Sequence, residues 1–382
     1  MNAAERFRRA RVVMGLVMLT VTVIVAAVTV LLYAFGQGMY EEFVARPSLT
    51  PQDDPWAGRV FSEERLAWRA QYTGEPWTLR TADGLTLVAE HTRPAGDVLP
   101  AEDGLPAAND TLEGNDLDGE PDGEVPAEQP YTDSHAWVIL SSGLRGRELY
   151  LEDLVMELHK RGFHVLNVHL RGHGPSGGGA LGLGYLDRAD MLSWVRRVET
   201  ADPEARIVLF GFSDAAAAML MASPDVPPSV AGIVSDSAFT RVDRQLSLLL
   251  RERYDLPVFP LIPAGNLACH RRQGFWFGDA DPETAVENAR VPILFFHGGA
   301  DGFTPPEMAR ELFEAAPGVY DEPDDGPSLD GSPTNHKTLL VAETKTLLIV
   351  PDASHCRAID NDPDEYWRLL GPFLDLRLGM NR

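Results

Sequence analysis

Six short apolar runs alternate with segments of helical period along the last two thirds of the chain, and this alternation limits the fold more than any other feature. The runs are Ala136–Leu140, Phe163–Val168, Ile207–Phe210, Val230–Val234, Ile293–Phe296 and Thr346–Val350. They are apolar at successive positions rather than alternate ones, the pattern of strands buried on both faces. Between them Glu148–Lys160, Arg188–Val198, Ala215–Met221, Pro306–Glu314 and finally Pro363–Leu376 carry apolar residues at three- and four-residue spacing. A mostly parallel α/β sheet with helices on both faces is predicted. Upstream, Trp77–Thr81 and Leu85–Ala89 flank Ala82-Asp83-Gly84 and read as an opening hairpin. The stretch 238–288 is longer than one crossover needs and holds Leu246–Leu250, Phe259–Ile262 and Phe275-Trp276-Phe277. It is expected to form a small helical cap over the carboxyl edge of the sheet, where open α/β sheets bind ligands.

The N-terminus predicts a membrane address. Val12 to Phe35 holds no charge, and about 24 residues at 1.5 Å each exceed the ~30 Å of a bilayer's hydrocarbon core. Arg6, Arg8, Arg9 and Arg11 precede it. Flanking cations stay cytoplasmic, so residues 1–40 read as a cytoplasmic tip and transmembrane helix with the remainder outside. Residues 41–74, broken by Pro47, Pro51 and Pro55, read as a stalk, and 75–382 as one domain. Two acidic insertions, 96–133 and 321–338, are expected to be disordered: the first has no Lys or Arg, and like-charge repulsion with little apolar surface cannot offset ordering entropy. They account for much of a formal net charge of -24, a balance that argues against nucleic-acid binding. Two cysteines, Cys269 and Cys356, are too few for a disulfide scaffold.

The chemistry is read from three loops. Ile207-Val208-Leu209-Phe210 runs into Gly211-Phe212-Ser213-Asp214-Ala215 and straight on into Ala216-Ala217-Ala218. A strand, a Gly-x-Ser-x-small turn and a helix form the context of a nucleophile elbow, whose tight turn needs small residues two before and two after the serine. A hydroxyl is a weak nucleophile unless a base takes its proton, so an acid and a histidine are sought downstream in that order. The Ile293 run leads to His297-Gly298-Gly299-Ala300-Asp301, and the Thr346 run to Pro351-Asp352-Ala353-Ser354-His355. Ser213 as nucleophile, His355 as base and Asp301 as orienting acid follow. Asp236, just past the Val230 run, and Asp352 are rival acids. Two backbone donors must face the developing oxyanion, and the amides of Leu144 and Asp214 are the candidates. His169 and His173 have a metal-ligand spacing for a helix, but Gly172, Gly174 and Pro175 make a helix there improbable, so no metal site is expected.

Ser142-Gly143-Leu144, Leu170-Arg171-Gly172-His173-Gly174-Pro175-Ser176, the Ser213 turn, His297-Gly298-Gly299-Ala300-Asp301 and Ser354-His355 appear in this order. Together they resemble the bacterial envelope α/β hydrolases of the Bem46-like and serine-aminopeptidase-like groups, over roughly Trp77 to Leu376. The resemblance implies an α/β-hydrolase fold and a serine esterase, lipase, thioesterase or peptidase without a cofactor. A small-molecule or lipid-like acyl substrate is expected, with contact to the membrane through the N-terminal helix. Four positions depart from the usual pattern: Ser142 for His, His169 for Asp, Ala215 for Gly and Asp214 for an uncharged residue. A carboxylate beside a developing oxyanion opposes catalysis unless it points away, so Asp214 favours a second reading, a catalytically silent binding module of the cell envelope.

Overall fold

The computed structural model describes residues 3–45, 63–72, 74–95, 134–143, 148–318, 338–342 and 344–380. Both acidic insertions fall outside this set except for Thr338, which opens a strand. One sheet of nine strands organises the molecule: β1 (Glu75–Arg80), β2 (Thr86–Thr92), β3 (Ala136–Ser141), β4 (His164–Val168), β5 (Arg206–Phe212), β6 (Val230–Asp236), β7 (Ile293–Gly298), β8 (Thr338–Val341) and β9 (Lys345–Val350). Their spatial order is β1-β2-β4-β3-β5-β6-β7-β9-β8. Strands from β4 through β3, β5, β6 and β7 to β9 pair in parallel, and the antiparallel strands β1, β2 and β8 lie at the two edges.

All six predicted apolar runs are parallel strands. The reason is visible in β5, where Ile207 and Leu209 enter one hydrophobic cluster while Val208, Phe210 and Phe212 enter another on the opposite face. A strand covered on both sides has no polar face to write into its sequence. The helices α4 (Asp187–Ala201), α5 (Asp214–Ala222) and α9 (Pro306–Ala315) close the first face through Met191, Trp194, Ala215, Leu312 and Phe313. The other face is closed by α3 (Glu148–Lys160) and α11 (Pro363–Leu378), through Leu154, Leu158, Tyr366, Leu370 and Leu374. Burying each such large side chain contributes roughly 1.5–3 kcal/mol, so the two layers hold the sheet between them against chain entropy.

The cap consists of α6 (Val242–Glu252), α7 (Val258–Gln273) and α8 (Pro282–Val286). The N-terminal helix α1 (Ala3–Phe43) extends past the expected end of the membrane span, and its last residues pack on α7 instead of starting a free stalk. Met39, Tyr40 and Val44 are buried there with Leu261, Ile262 and Ala268 of the cap. Leu181 N–H donates to Val44 O at 2.8 Å, tying the end of α1 to the loop before α4. Arg171 of the Leu-Arg-Gly-His-Gly run braces the opposite side of that loop. It binds both carboxylate oxygens of Asp190 at 2.8 Å and reaches Asp83 in the β1–β2 turn at 2.9 Å.

Candidate active site

The carboxyl ends of β5, β7 and β9 deliver Ser213, Asp301 and His355 to one point. Ser213 occupies the turn between β5 and α5 with φ 54° and ψ -120°, a conformation that costs a non-glycine residue energy and persists only where its surroundings impose it. They do so from two sides. Ser213 N–H donates to Asp236 O at 2.8 Å, and the Ser213 carbonyl accepts from Ala217 N–H at 3.0 Å. No side chain fits at Gly211, where a Cβ would lie 2.5 Å from the Ala216 nitrogen. The same holds at Gly143, where a Cβ would lie 2.5 Å from Ser213 Cβ and 3.0 Å from the Asp214 nitrogen. Small residues at these positions let two backbones converge on the serine.

His355 Nε2 lies 2.9 Å from Ser213 Oγ, and its Nδ1 lies 2.7 Å from Asp301 Oδ2. With the ring proton on Nδ1, the imidazole donates to Asp301 and accepts from the serine hydroxyl. Asp301 is held in turn: Phe303 and Thr304 N–H donate to Oδ1 at 2.8 and 2.9 Å, and Thr304 Oγ1 donates to Oδ2 at 2.8 Å. Burial by itself raises the Asp301 pKa, but the facing His355 and these hydrogen bonds outweigh it and bring the carboxyl below its ordinary value. For His355 burial acts downward, while the neighbouring Cys356 and the Asp301 carboxylate act upward and win, so its pKa stands well above the ordinary value.

The rival acids are occupied differently. Asp236 is fully buried beneath the site, where its carboxylate accepts from Ser237 Oγ at 2.8 Å and Tyr366 Oη at 3.0 Å. Burial pushes its pKa up to about 6. Asp352 is exposed, with a left-handed φ of 57° that marks a turn former. Asp214 opens α5 and is buried, and its amide nitrogen lies against Gly143 at the mouth of the loop that continues to Leu144. Leu144 itself falls outside the described residues. On the far side of α5, Asp187 is pushed up to about 7, by burial first and then by the charge of Asp190, with a smaller contribution from Asp214.

Several neighbours of the site were not marked by the sequence reading. Thr304 braces both Asp301 and His355, the latter at 3.1 Å, and its signal was Asp301 three residues earlier, an Asx-turn spacing. His297 donates to the Thr304 carbonyl at 2.7 Å and stays neutral because burial lowers its pKa. Ser237 Oγ accepts from Cys356 N–H at 3.1 Å and fixes the backbone just after His355. Both cysteines are buried and outside any disulfide, Cys269 in the cap and Cys356 beneath the site. His169 and His173 flank a turn, and the described residues contain no cluster of three or more metal-ligating side chains.

Residues 132–268 match the family model described as serine aminopeptidase S33. The uncharacterized protein YqkD of Bacillus subtilis is 27% identical over 155 residues, which cover 40% of this chain and 51% of that protein. The chain thus spans about half the length of the curated relative it matches. Among solved structures, an esterase of Pyrococcus furiosus superposes with a TM-score of 0.56 at 17% identity, over 88% of this chain and 99% of that one. A puromycin-hydrolyzing peptidase of Mycobacterium tuberculosis gives 0.50 at 14% identity, over 81% and 40%. These matches carry the serine-aminopeptidase side of the resemblance and leave the Bem46-like side as a likeness of motifs. By its sheet order and the turn that bears Ser213 the chain has the α/β-hydrolase fold, and from Thr132 to Ala268 it is similar to the serine aminopeptidase S33 family.

Proposed function

We propose that the chain is a membrane-anchored serine hydrolase that cleaves an ester, thioester or amide through an acyl-enzyme. The observation that carries this reading is the unbroken relay from Ser213 Oγ to His355 Nε2 at 2.9 Å and from His355 Nδ1 to Asp301 at 2.7 Å, on a serine held in a strained turn. In the acylation step Ser213 Oγ bonds to the acyl carbon as its proton passes to His355 Nε2. Asp301 holds the tautomer and balances the imidazolium. The carbonyl oxygen takes the electron pair, and the amides of Asp214 and Leu144 are assigned as its donors. Collapse expels the leaving group, which takes the proton from Nε2. Water, deprotonated by the same nitrogen, then releases the acid and restores Ser213.

In this reading 1–40 anchor the chain, 75–382 form the catalytic domain with the cap at 238–288, and that domain lies on the extracytoplasmic side. The arginines before α1 support that orientation. The substrate is a small acylated molecule or a lipid-like one. The second reading, a silent binding module, is favoured by one observation, the buried Asp214 carboxylate next to the serine.

A fluorophosphonate probe separates the two. It is expected to label the full-length chain at Ser213, and Ser213→Ala is expected to abolish labelling and lower turnover by about 10⁴-fold or more. Folded wild-type chain that takes no label would rule for the binding module.

A further inference from the structure

We propose that Ser237, with Asp236 before it, is a positioning residue of the reaction: this dipeptide at the carboxyl end of β6 ties together the three loops that carry Ser213, Asp301 and His355. The inference rests on the serine-hydrolase reading and adds the part that sets the register among its three groups. β6 lies between β5, which ends at the nucleophile, and β7, which ends at the acid loop. Its last residues can therefore reach both neighbours, and Asp236 and Ser237 are fully buried between them.

One hydrogen bond goes to each loop. The Asp236 carbonyl accepts from Ser213 N–H at 2.8 Å, the Ser237 carbonyl accepts from Thr304 Oγ1 at 3.2 Å, and Ser237 Oγ accepts from Cys356 N–H at 3.1 Å. Thr304 is the residue that braces Asp301, and Cys356 directly follows His355. The acid and base loops are also joined to each other, since Gly299 N–H donates to Val350 O at 2.7 Å and Ala300 N–H to Ala353 O at 2.9 Å. What the dipeptide adds is the reference to Ser213: the same two residues hold the amide of the nucleophile and the backbone beside the base.

The polarity of Ser237 is fixed by its neighbours. An amide N–H only donates, so the hydroxyl accepts from Cys356 and its own proton is left for Asp236 Oδ1, at 2.8 Å. Tyr366 Oη, from α11, donates to Asp236 Oδ2 at 3.0 Å and holds the other oxygen of that carboxylate. A serine hydroxyl ordinarily rotates; here Asp236 sets the rotor and aims a lone pair at Cys356. The backbone conforms as well. Ser237 has φ 59° and Cys356 φ 56°, both in the left-handed region, where a non-glycine residue persists only if its contacts impose it. Ser213, at φ 54°, is the third such residue in this one set of hydrogen bonds. Displacing a reacting group by about 1 Å costs on the order of 10²-fold in rate, so a junction that keeps Ser213 Oγ and His355 Nε2 at 2.9 Å bears directly on turnover.

The test uses the full-length chain in detergent, with p-nitrophenyl butyrate and a fluorophosphonate probe, and compares wild type with Ser237→Ala, Ser237→Gly and Ser223→Ala. Glycine suits a φ of 59°, so Ser237→Gly removes the hydroxyl without straining the backbone. Ser223, equally buried just after α5, is the control for loss of a buried hydroxyl. Both Ser237 variants are expected to lower kcat and the labelling rate by about 10- to 100-fold with KM within about twofold of wild type, and Ser223→Ala to change neither. Hydrogen exchange read by mass spectrometry is expected to speed up around His355 and Cys356 in both Ser237 variants. Wild-type rates in Ser237→Gly would overturn the proposal, as would a loss confined to KM or exchange around Cys356 as slow as in the wild type. If the wild-type chain takes no label, the hydrolase reading fails, and the exchange around Cys356 by itself upholds or overturns the junction.

Discussion

The edge of the sheet that holds Ser213 and the crossing of α1 with the cap are both places where backbones come unusually close, yet they are built on different principles. At the edge, closeness is enforced by strands buried on both faces, a left-handed Ser213 and two glycines on either side of it. At the crossing it depends on Gly36 and Gly265 in two helices more than two hundred residues apart, with rim pairs such as Arg272 and Glu41 that contribute little in water. The first arrangement is local and stiff; the second is long-range and can be pried open without touching the chemistry.

The sharpest way to break this contrast is to exchange the acid. Asp301→Asn is expected to lower kcat by about 10³- to 10⁴-fold through the wrong imidazole tautomer, whereas Asp236→Asn, one strand away, should cost about tenfold or less. Steady-state rates of the two variants check this, and equal losses would return Asp236 to contention. A pH profile probes the same contact. A raised pKa means His355 holds its proton to higher pH than a free imidazole, so the base form is lost as pH falls. The acid limb of kcat/KM is therefore expected to have its midpoint above ~6.5, with about tenfold loss per unit below it.

On the other side of the comparison, Gly36→Leu places a side chain where the Ala264 carbonyl already lies. Overpacking of this kind costs about 1–3 kcal/mol, expected as a lower melting temperature and faster proteolysis of the cap, with probe labelling of Ser213 retained. If labelling were lost as well, the two regions would be one cooperative unit. The smallest effect is expected from Asp214→Asn, a rise in kcat/KM of about three- to tenfold once the charge beside the oxyanion is gone; a fall would show that this carboxylate works for the reaction.

What the sequence showed tracks these two principles. The six parallel strands were legible because burial on both faces leaves continuous apolar runs, and Ser213, Asp301 and His355 because each follows such a run on the same edge of the sheet. The edge strand β8 was not among the predicted runs, and its first residue Thr338 was read as the end of an acidic insertion, since Thr338–Val341 alternates buried and exposed residues over only four positions. Thr304 was passed over because a threonine after a turn is common, and its meaning comes from His355, fifty-one residues on. Residues 41–45 read as the start of a stalk, because nothing local tells an amphipathic helix end from a linker; Met39, Tyr40 and Val44 became core only when α7 arrived against them.

The chain by itself determined the alternation of strands and helices, the apolar N-terminal helix and the order of hydroxyl, carboxylate and imidazole, since periodicity and turn chemistry are local properties. The tertiary structure alone decided that Asp301 rather than Asp236 faces His355, and that Met39, Tyr40 and Val44 at the end of α1 join the core of the cap. Both are choices among chemically equal residues, settled by which backbone lies within hydrogen-bond or van der Waals reach, and reach between distant segments exists only once the sheet has formed.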